Sequence, residues 1–377
     1  MNHSYFTSEY QRDIVIPDIF PELVSNELVH IGYGGLEHVS EHFLYSNEEK
    51  IVGEITEQYS KGKRIFVYEC LREGLVLPAL IKFFNITSKL NLSDASFIWL
   101  TGDPNGKVVI EDIMFKHMPK KPFQVWGSHY FEYLAHKTFP KYSKEYTPGY
   151  KEKTFLCYNN VLRPSRIEFL EHMLKHDLVK DSYYSFIGGS RGTTTINQLL
   201  TKIDAKLYPN IHGNKDILPL GLGDDWSGDL EITDYAFYEN SYFSVITETL
   251  YYPHHAVPNQ NYIGQVPAFI GLFLTEKTYK PIAMKHPFIL LAPQYSLRML
   301  RERGYKTFSP FIDESYDEIE NDNLRLLAVV EEVKRLSQSD LVEFTYQVKD
   351  IVEHNEKILR SQTVFDPNKI STRENCY

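Results

Sequence analysis

The chain has 377 residues, 42% of them hydrophobic, enough to bury one large core or two smaller ones. Forty basic against fifty acidic residues give a net charge of −10, which disfavours non-specific binding to nucleic acid. Three widely spaced cysteines, Cys70, Cys157 and Cys376, form neither a disulfide framework nor a metal-ligand spacing, and a reducing cytoplasm is the simplest expected setting. The polar first twelve residues do not read as a signal peptide, and no apolar run approaches the roughly 20 residues of a membrane span.

Taken in order, residues 27–32 read as a strand that enters the glycines Gly32, Gly34 and Gly35. His38 to Tyr59 is patterned like a helix. Arg64 to Glu69 is a second strand and Val76 to Phe84 a second helix. Ala95 to Leu100 is a third strand, ending in the turn-forming run Thr101-Gly102-Asp103-Pro104-Asn105-Gly106. Phe123 to Trp126 is a fourth, followed by Gly127-Ser128-His129. Short apolar strands alternating with helices predict a parallel, doubly wound sheet. Residues 137–153, rich in Lys, Tyr and Pro, read as a linker.

A second alternation starts at Lys153, with a strand at Thr154 to Tyr158, a helix from Ile167 to His176, and a strand from Ser182 to Phe186. Residues 188–233 are the least legible, with a helix predicted over Thr195 to Leu207. Ser244 to Glu248 and Phe269 to Glu276 each read as an apolar strand running into Thr-Glu. Thr-Glu is a common helix start, with Thr as cap, and a helix start also presents free N–H groups to an anion. Pro281 is compatible with a first helical turn. Pro287 to Leu291 is a buried strand, Tyr295 to Arg303 a helix stopped by Gly304, and Lys306 to Phe308 a short strand. Residues 312–317 read as a loop. Asn323 to Leu336 and Ser339 to Ile358 are helices. The expected organisation is α/β, with two Rossmann-like domains at 1–150 and 151–360, a tail at 361–377, and a ligand in the cleft between the domains.

Strand ends set the candidate residues, because ligands of such sheets sit at the carboxyl edge. The first half offers Gly34, Glu69, Asp103 and His129: carboxylates and an imidazole, suited to an acceptor and a general base. The second half offers Asn159, Arg163, Arg166, Thr247, Glu248, Thr275, Glu276, Lys277 and Lys280. Cations beside hydroxyl-binding acids suit a nucleoside diphosphate. Asp224-Asp225 reads as a solvated turn rather than a metal motif. His254-His255 has no third ligand in view. Lys116, Lys120, Lys121, Lys137, Lys141 and Lys144 form the one basic cluster that a nucleic acid would need.

The segment Lys153-Thr154-Phe155-Leu156-Cys157-Tyr158-Asn159-Asn160-Val161-Leu162-Arg163-Pro164-Ser165-Arg166 resembles the FLCLNRRPRPHR segment of a family of phage and bacterial proteins classed as glycosyltransferases. Residues 244–249, 273–281, 287–289, 304–308 and 312–317 are similar to later segments of that family, so the resemblance spans roughly 153–336. Thr275-Glu276-Lys277 also resembles the VTEK motif of α1,3-fucosyltransferases, which are GT-B enzymes. The resemblance implies a GT-B fold of two Rossmann-like domains and a metal-independent transfer, inverting in outcome, from a nucleotide-diphosphate sugar, with no further cofactor.

Carried over by motif, the resemblance implies that Glu276 binds the ribose, Lys277 the phosphates and Arg163 or Arg166 the diphosphate. Glu248 would stand near the donor sugar. The chain departs from the motifs at Thr247-Glu248-Thr249, where fucosyltransferases have FEN, and at Asn160, Val161 and Ser165, where the phage family has Arg, Arg and His. The first half matches no family motif, so Asp103, Glu69 and His129 all stay open as catalytic groups. The expected acceptor is a glycan or small molecule. A hydroxylated DNA base is the alternative acceptor, and a non-catalytic nucleotide-binding protein is the other alternative.

Overall fold

The computed structural model describes residues 28–33, 47–71, 75–111, 121–139, 144–159, 162–186, 200–218, 222, 235–251, 269–270 and 272–361. The chain divides into two compact units, the first built on the described residues up to Tyr133 with those of the 267–273 stretch, and the second on 134–266 and 274–362. Both are α/β, each around a four-stranded sheet whose strands run parallel.

In the first unit the sheet is β1 (Leu28–Tyr33), β2 (Ile65–Cys70), β4 (Ser96–Thr101) and β5 (Gln124–Gly127), paired in that order. The runs Ile65-Phe66-Val67-Tyr68 and Phe97-Ile98-Trp99-Leu100 are almost continuously apolar, as strands covered on both faces must be. Tyr68 stacks on Trp99 at 4.5 Å between ring centroids, and Phe66 on Phe97 at 5.3 Å. Helix α1 (Glu48–Ser60) is capped by Asn47, whose side chain accepts the Glu49 N–H. It covers the second part of the expected 38–59 helix, the first part lying outside the described residues. Leu75–Val76 form the two-residue strand β3 ahead of helix α2 (Leu77–Lys89), and β3 pairs antiparallel with β9 (Phe269–Ile270). Phe269–Ile270, expected to lead into Thr-Glu within the second domain, thus pair with a strand of the first unit. Two shorter helices follow β4 and β5, α3 (Gly106–Ile110) and α4 (Tyr130–Thr138).

The second unit's sheet has the order β10 (Phe288–Leu291), β8 (Ser241–Thr247), β6 (Lys153–Cys157), β7 (Tyr183–Tyr184). The chain goes outward from β6 to β7, then crosses back to lay β8 on the other side of β6. Strand order reverses between β6 and β8, which makes that crevice the topological switch point of the sheet. Helix α5 (Pro164–Lys175) follows β6, and the short helices α6 (Pro209–Gly213) and α7 (Tyr235–Glu239) precede β8. Helix α8 (Glu276–Ala283) leads to β10, and α9 (Ser296–Glu302) follows it.

Helices α10 (Asp322–Ser337), α11 (Leu341–Gln347) and α12 (Lys349–Ser361) close the unit; the break at Val348 divides what the pattern presents as one helix. Three expectations fail locally. Residues 201–207 are turns rather than helix, Lys306 to Phe308 is irregular rather than strand, and 314–318 is a 3-10 helix rather than loop. Residues 144–151, expected as linker, are tied to the second unit, where the Tyr146 hydroxyl and the Gly149 N–H both bond to Thr345.

Candidate functional site

The switch point is built from the ends of β6 and β8. Asn159 stands two residues past β6, and its N–H donates to Ser185 Oγ at 2.8 Å. Its amide donates to Cys157 Sγ and to Tyr184 Oη, both at 3.2 Å, and its Oδ1 accepts from Thr247 Oγ1 at 2.5 Å. The two strand ends are thus bridged across the crevice by Asn159 and Thr247, both buried.

Helix α5 opens towards the same crevice. Arg163 occupies its N-cap with no side-chain cap bond, and Pro164 takes the first helical position, where a missing N–H costs nothing. Arg166 lies in the first turn, 2% exposed, and donates to the Thr247 carbonyl at 3.0 Å. Burial, then the neighbouring Arg163, lowers its pKa to about 10, while Glu248 and Glu276 act in the opposite direction. It therefore remains a cation at neutral pH, held in a poorly solvated place.

Helix α8 supplies the third wall. Thr275 is its N-cap, with extended backbone and its hydroxyl facing the Lys277 N–H at 3.4 Å. Glu276 is buried and pairs with Lys277 Nζ at 2.5 Å. Burial alone would raise the Glu276 pKa; Lys277 and Lys280 more than offset it, and the carboxyl is held below its ordinary value. Pro281 sits in the interior of α8, not in its first turn.

Glu248 has a role that spacing alone does not show. Oε1 accepts from the Thr275 N–H at 2.9 Å and from Thr278 Oγ1 at 2.7 Å. Oε2 accepts from Thr275 Oγ1 at 2.7 Å and from the Thr249 N–H at 3.0 Å. Four donors occupy the four lone-pair positions of one carboxylate. Glu248 anchors the N-terminus of α8 to the end of β8, and its acceptor capacity is spent on that anchorage. The Thr275-x-x-Thr278 spacing is the signal in the sequence, since two hydroxyls one helical turn apart share a face.

Arg163, Arg166, Lys277 and Lys280 thus stand with Glu248 and Glu276 at one edge of one sheet: four cations against two carboxylates, backed by two helix N-termini. Such a surround suits an anion of more than one negative charge.

The candidates of the first unit also sit at a carboxyl edge, on three adjacent strands. Glu69 is the penultimate residue of β2, 1% exposed, its Oε1 accepting the Leu71 N–H at 2.8 Å. Asp103 follows β4 and is fully buried; its Oδ1 accepts the Asn105 N–H at 2.8 Å, and its Oδ2 has no hydrogen-bond partner among the described residues. Burial pushes its carboxyl well above the usual carboxylate range, against the pull of the Asn105 and Leu272 N–H groups. His129 follows β5 with its side chain 14% exposed and Nδ1 3.8 Å from Glu132 Oε2. Of the three, His129 is the most accessible.

Gly34, Lys116, Lys120, Lys141, Asn160, Asp224, Asp225, His254 and His255 lie outside the described residues. Among the described lysines of the basic cluster, Lys121 pairs with Glu111 at 2.6 Å and Lys144 with Glu239 at 2.5 Å. No group of three or more His, Cys, Asp or Glu suited to a metal occurs among the described residues, and no described helix is long and apolar enough to cross a membrane. Comparison with protein-family models, curated proteins and solved structures found no match.

Proposed function

We propose that the chain is a glycosyltransferase that moves a sugar from a nucleotide-diphosphate donor to a hydroxyl of a glycan or small molecule, without a bound metal. The observation that carries the reading is the four-cation surround of the switch point between β6 and β8. In this reading the diphosphate lies against the first turns of α5 and α8, and Arg163, Arg166, Lys277 and Lys280 offset its charge as the leaving group departs. Opening of the Glu276–Lys277 pair frees the carboxylate for ribose hydroxyls and the ammonium for phosphate. Asn159, Thr247 and Thr275 shape the crevice floor. Glu248 becomes a positioning residue that fixes α8, rather than the acid nearest the sugar.

The GT-B reading assigns the acceptor to the first unit. Its accessibility favours His129 as the base over Glu69 and Asp103, with Glu132 orienting the imidazole. The carboxylate pairing of Lys121 and Lys144 leaves less positive charge for a DNA acceptor and favours the uncharged one. Non-catalytic nucleotide binding is the second reading, supported by the same four cations at the switch point.

Donor hydrolysis tests the proposal without a known acceptor. Incubation with GDP-, UDP-, ADP- and dTDP-sugars should release nucleoside diphosphate from one of them. Lys277→Ala should slow that release by about tenfold or more. Binding of a donor with no turnover, in the presence of a broad acceptor library, would leave the non-catalytic reading in its place.

A further inference from the structure

The second unit carries a separate cavity, of about 180 Å³, at the opposite, amino-terminal end of its sheet. Its walls come from residues 144–151, from the α7–β8 junction and from the residues that join α8 to β10. Three lysines reach it, Lys144, Lys151 and Lys285, along with two carboxylates, Glu145 and Glu239. Lys144 is answered by Glu239. Lys151 Nζ donates to the Thr147 carbonyl at 3.1 Å and Lys285 Nζ to the Lys144 carbonyl at 2.6 Å. Neither forms an ion pair among the described residues. An ammonium has three donors, so each retains capacity for an incoming acceptor.

Lys285 takes φ +53° at the turn that ends α8, as Asp177 takes φ +56° at the turn that ends α5, so the left-handed backbone serves the helix stop. Lys151 is partly buried, and burial lowers its pKa while nearby Glu239 acts the other way, so part of the desolvation cost of that cation is offset within the protein. Tyr146, Tyr238 and Tyr242 add aromatic wall. His286 closes the floor as a neutral group. Nε2 lies 2.9 Å from the Ser241 carbonyl, which can only accept, so that nitrogen carries the proton, and Nδ1 accepts from Ser244 Oγ at 2.8 Å. Burial pushes its pKa down to about 4.

We infer that this cavity is a second binding site, for a small organic anion bearing a phosphate group and a flat apolar part. Lys151 and Lys285 take the oxyanion and the tyrosines the ring. The site is distinct from the switch point: β8 runs from Ser241 at the cavity to Thr247 at the crevice, and α8 from Glu276 at the crevice to the turn at Lys285. The inference does not depend on glycosyl transfer.

Calorimetric titration of the full chain with phenyl phosphate tests it. Saturable binding should appear, weaken as salt rises, and be absent for phenol, which keeps the ring and lacks the charge. Lys285→Gly, which relieves the left-handed backbone and so retains the fold, should weaken binding at least about tenfold, and Lys151→Gln should do the same. Lys277→Ala, at the switch point, should leave it unchanged. Absence of saturable binding, equal binding of phenol, unchanged affinity in both cavity variants, or loss only in Lys277→Ala would each overturn the assignment.

Discussion

Two buried carboxyl groups, Glu248 and Asp103, show how differently the same chemical group is used. Glu248 faces four donors, two of them backbone N–H groups that cannot turn away. Glu248→Ala should destabilise the protein by about 2–4 kcal/mol, because hydrogen bonds to a charged group are among the stronger ones and their donors would be left buried. Urea unfolding measures this; a loss under about 1 kcal/mol would mean that water replaces the carboxylate. Asp103 is the opposite case, buried with a raised pKa and few donors. A carboxyl that is harder to ionise when folded holds its proton longer than in the unfolded chain, so its contribution to stability falls as pH rises above the ordinary aspartate value. Asp103→Asn removes that titration. The variant should therefore gain on the wild type between pH 5 and pH 8, and a difference independent of pH would show an Asp103 already ionised at the lower pH.

At the scale of elements, what is legible follows burial. β2, β4, β8 and β10 are visible as apolar runs because both of their faces are covered, whereas β5, with Gln124 exposed, and β6, with Lys153 and Thr154 half-buried, show only short apolar stretches. Residues 201–207 and 306–308 differ from expectation because their patterns are short, and short patterns do not separate helix, strand and turn. β9 reads as a strand into the site because an apolar run says nothing about which sheet takes it. Thr275, Glu276 and Lys277 were legible as a helix start, since cap chemistry is local. The anchorage by Glu248 was not, since its donors lie 27 and 30 residues on.

The strand ends of the first unit also carry a steric demand. A Cβ on Gly127 would lie 2.5 Å from the Asp103 carbonyl oxygen, and one on Gly102 would run into the Leu71 carbonyl. Both obstacles are backbone, so nothing can swing aside. Gly127→Ala and Gly102→Ala should each cost about 3 kcal/mol or more, read as a lower unfolding midpoint. A midpoint within error of wild type for either would show that the loop ends spread without penalty.

Across the whole molecule, a net charge of −10 coexists with a cationic crevice at the carboxyl end of the second sheet. Cations gathered at that edge raise the local concentration of an incoming anion although the chain as a whole is acidic. The most direct measurement is thermal unfolding of the full chain against GDP, UDP, ADP, CMP and dTDP, repeated with Lys277→Ala and Lys280→Ala. A ligand that binds only the folded state must raise the unfolding temperature. The account predicts a shift with one nucleoside diphosphate, smaller with CMP, and diminished in both variants. No shift with any diphosphate, or a shift of equal size in both variants, would contradict the assignment of the crevice between β6 and β8 to a nucleotide diphosphate.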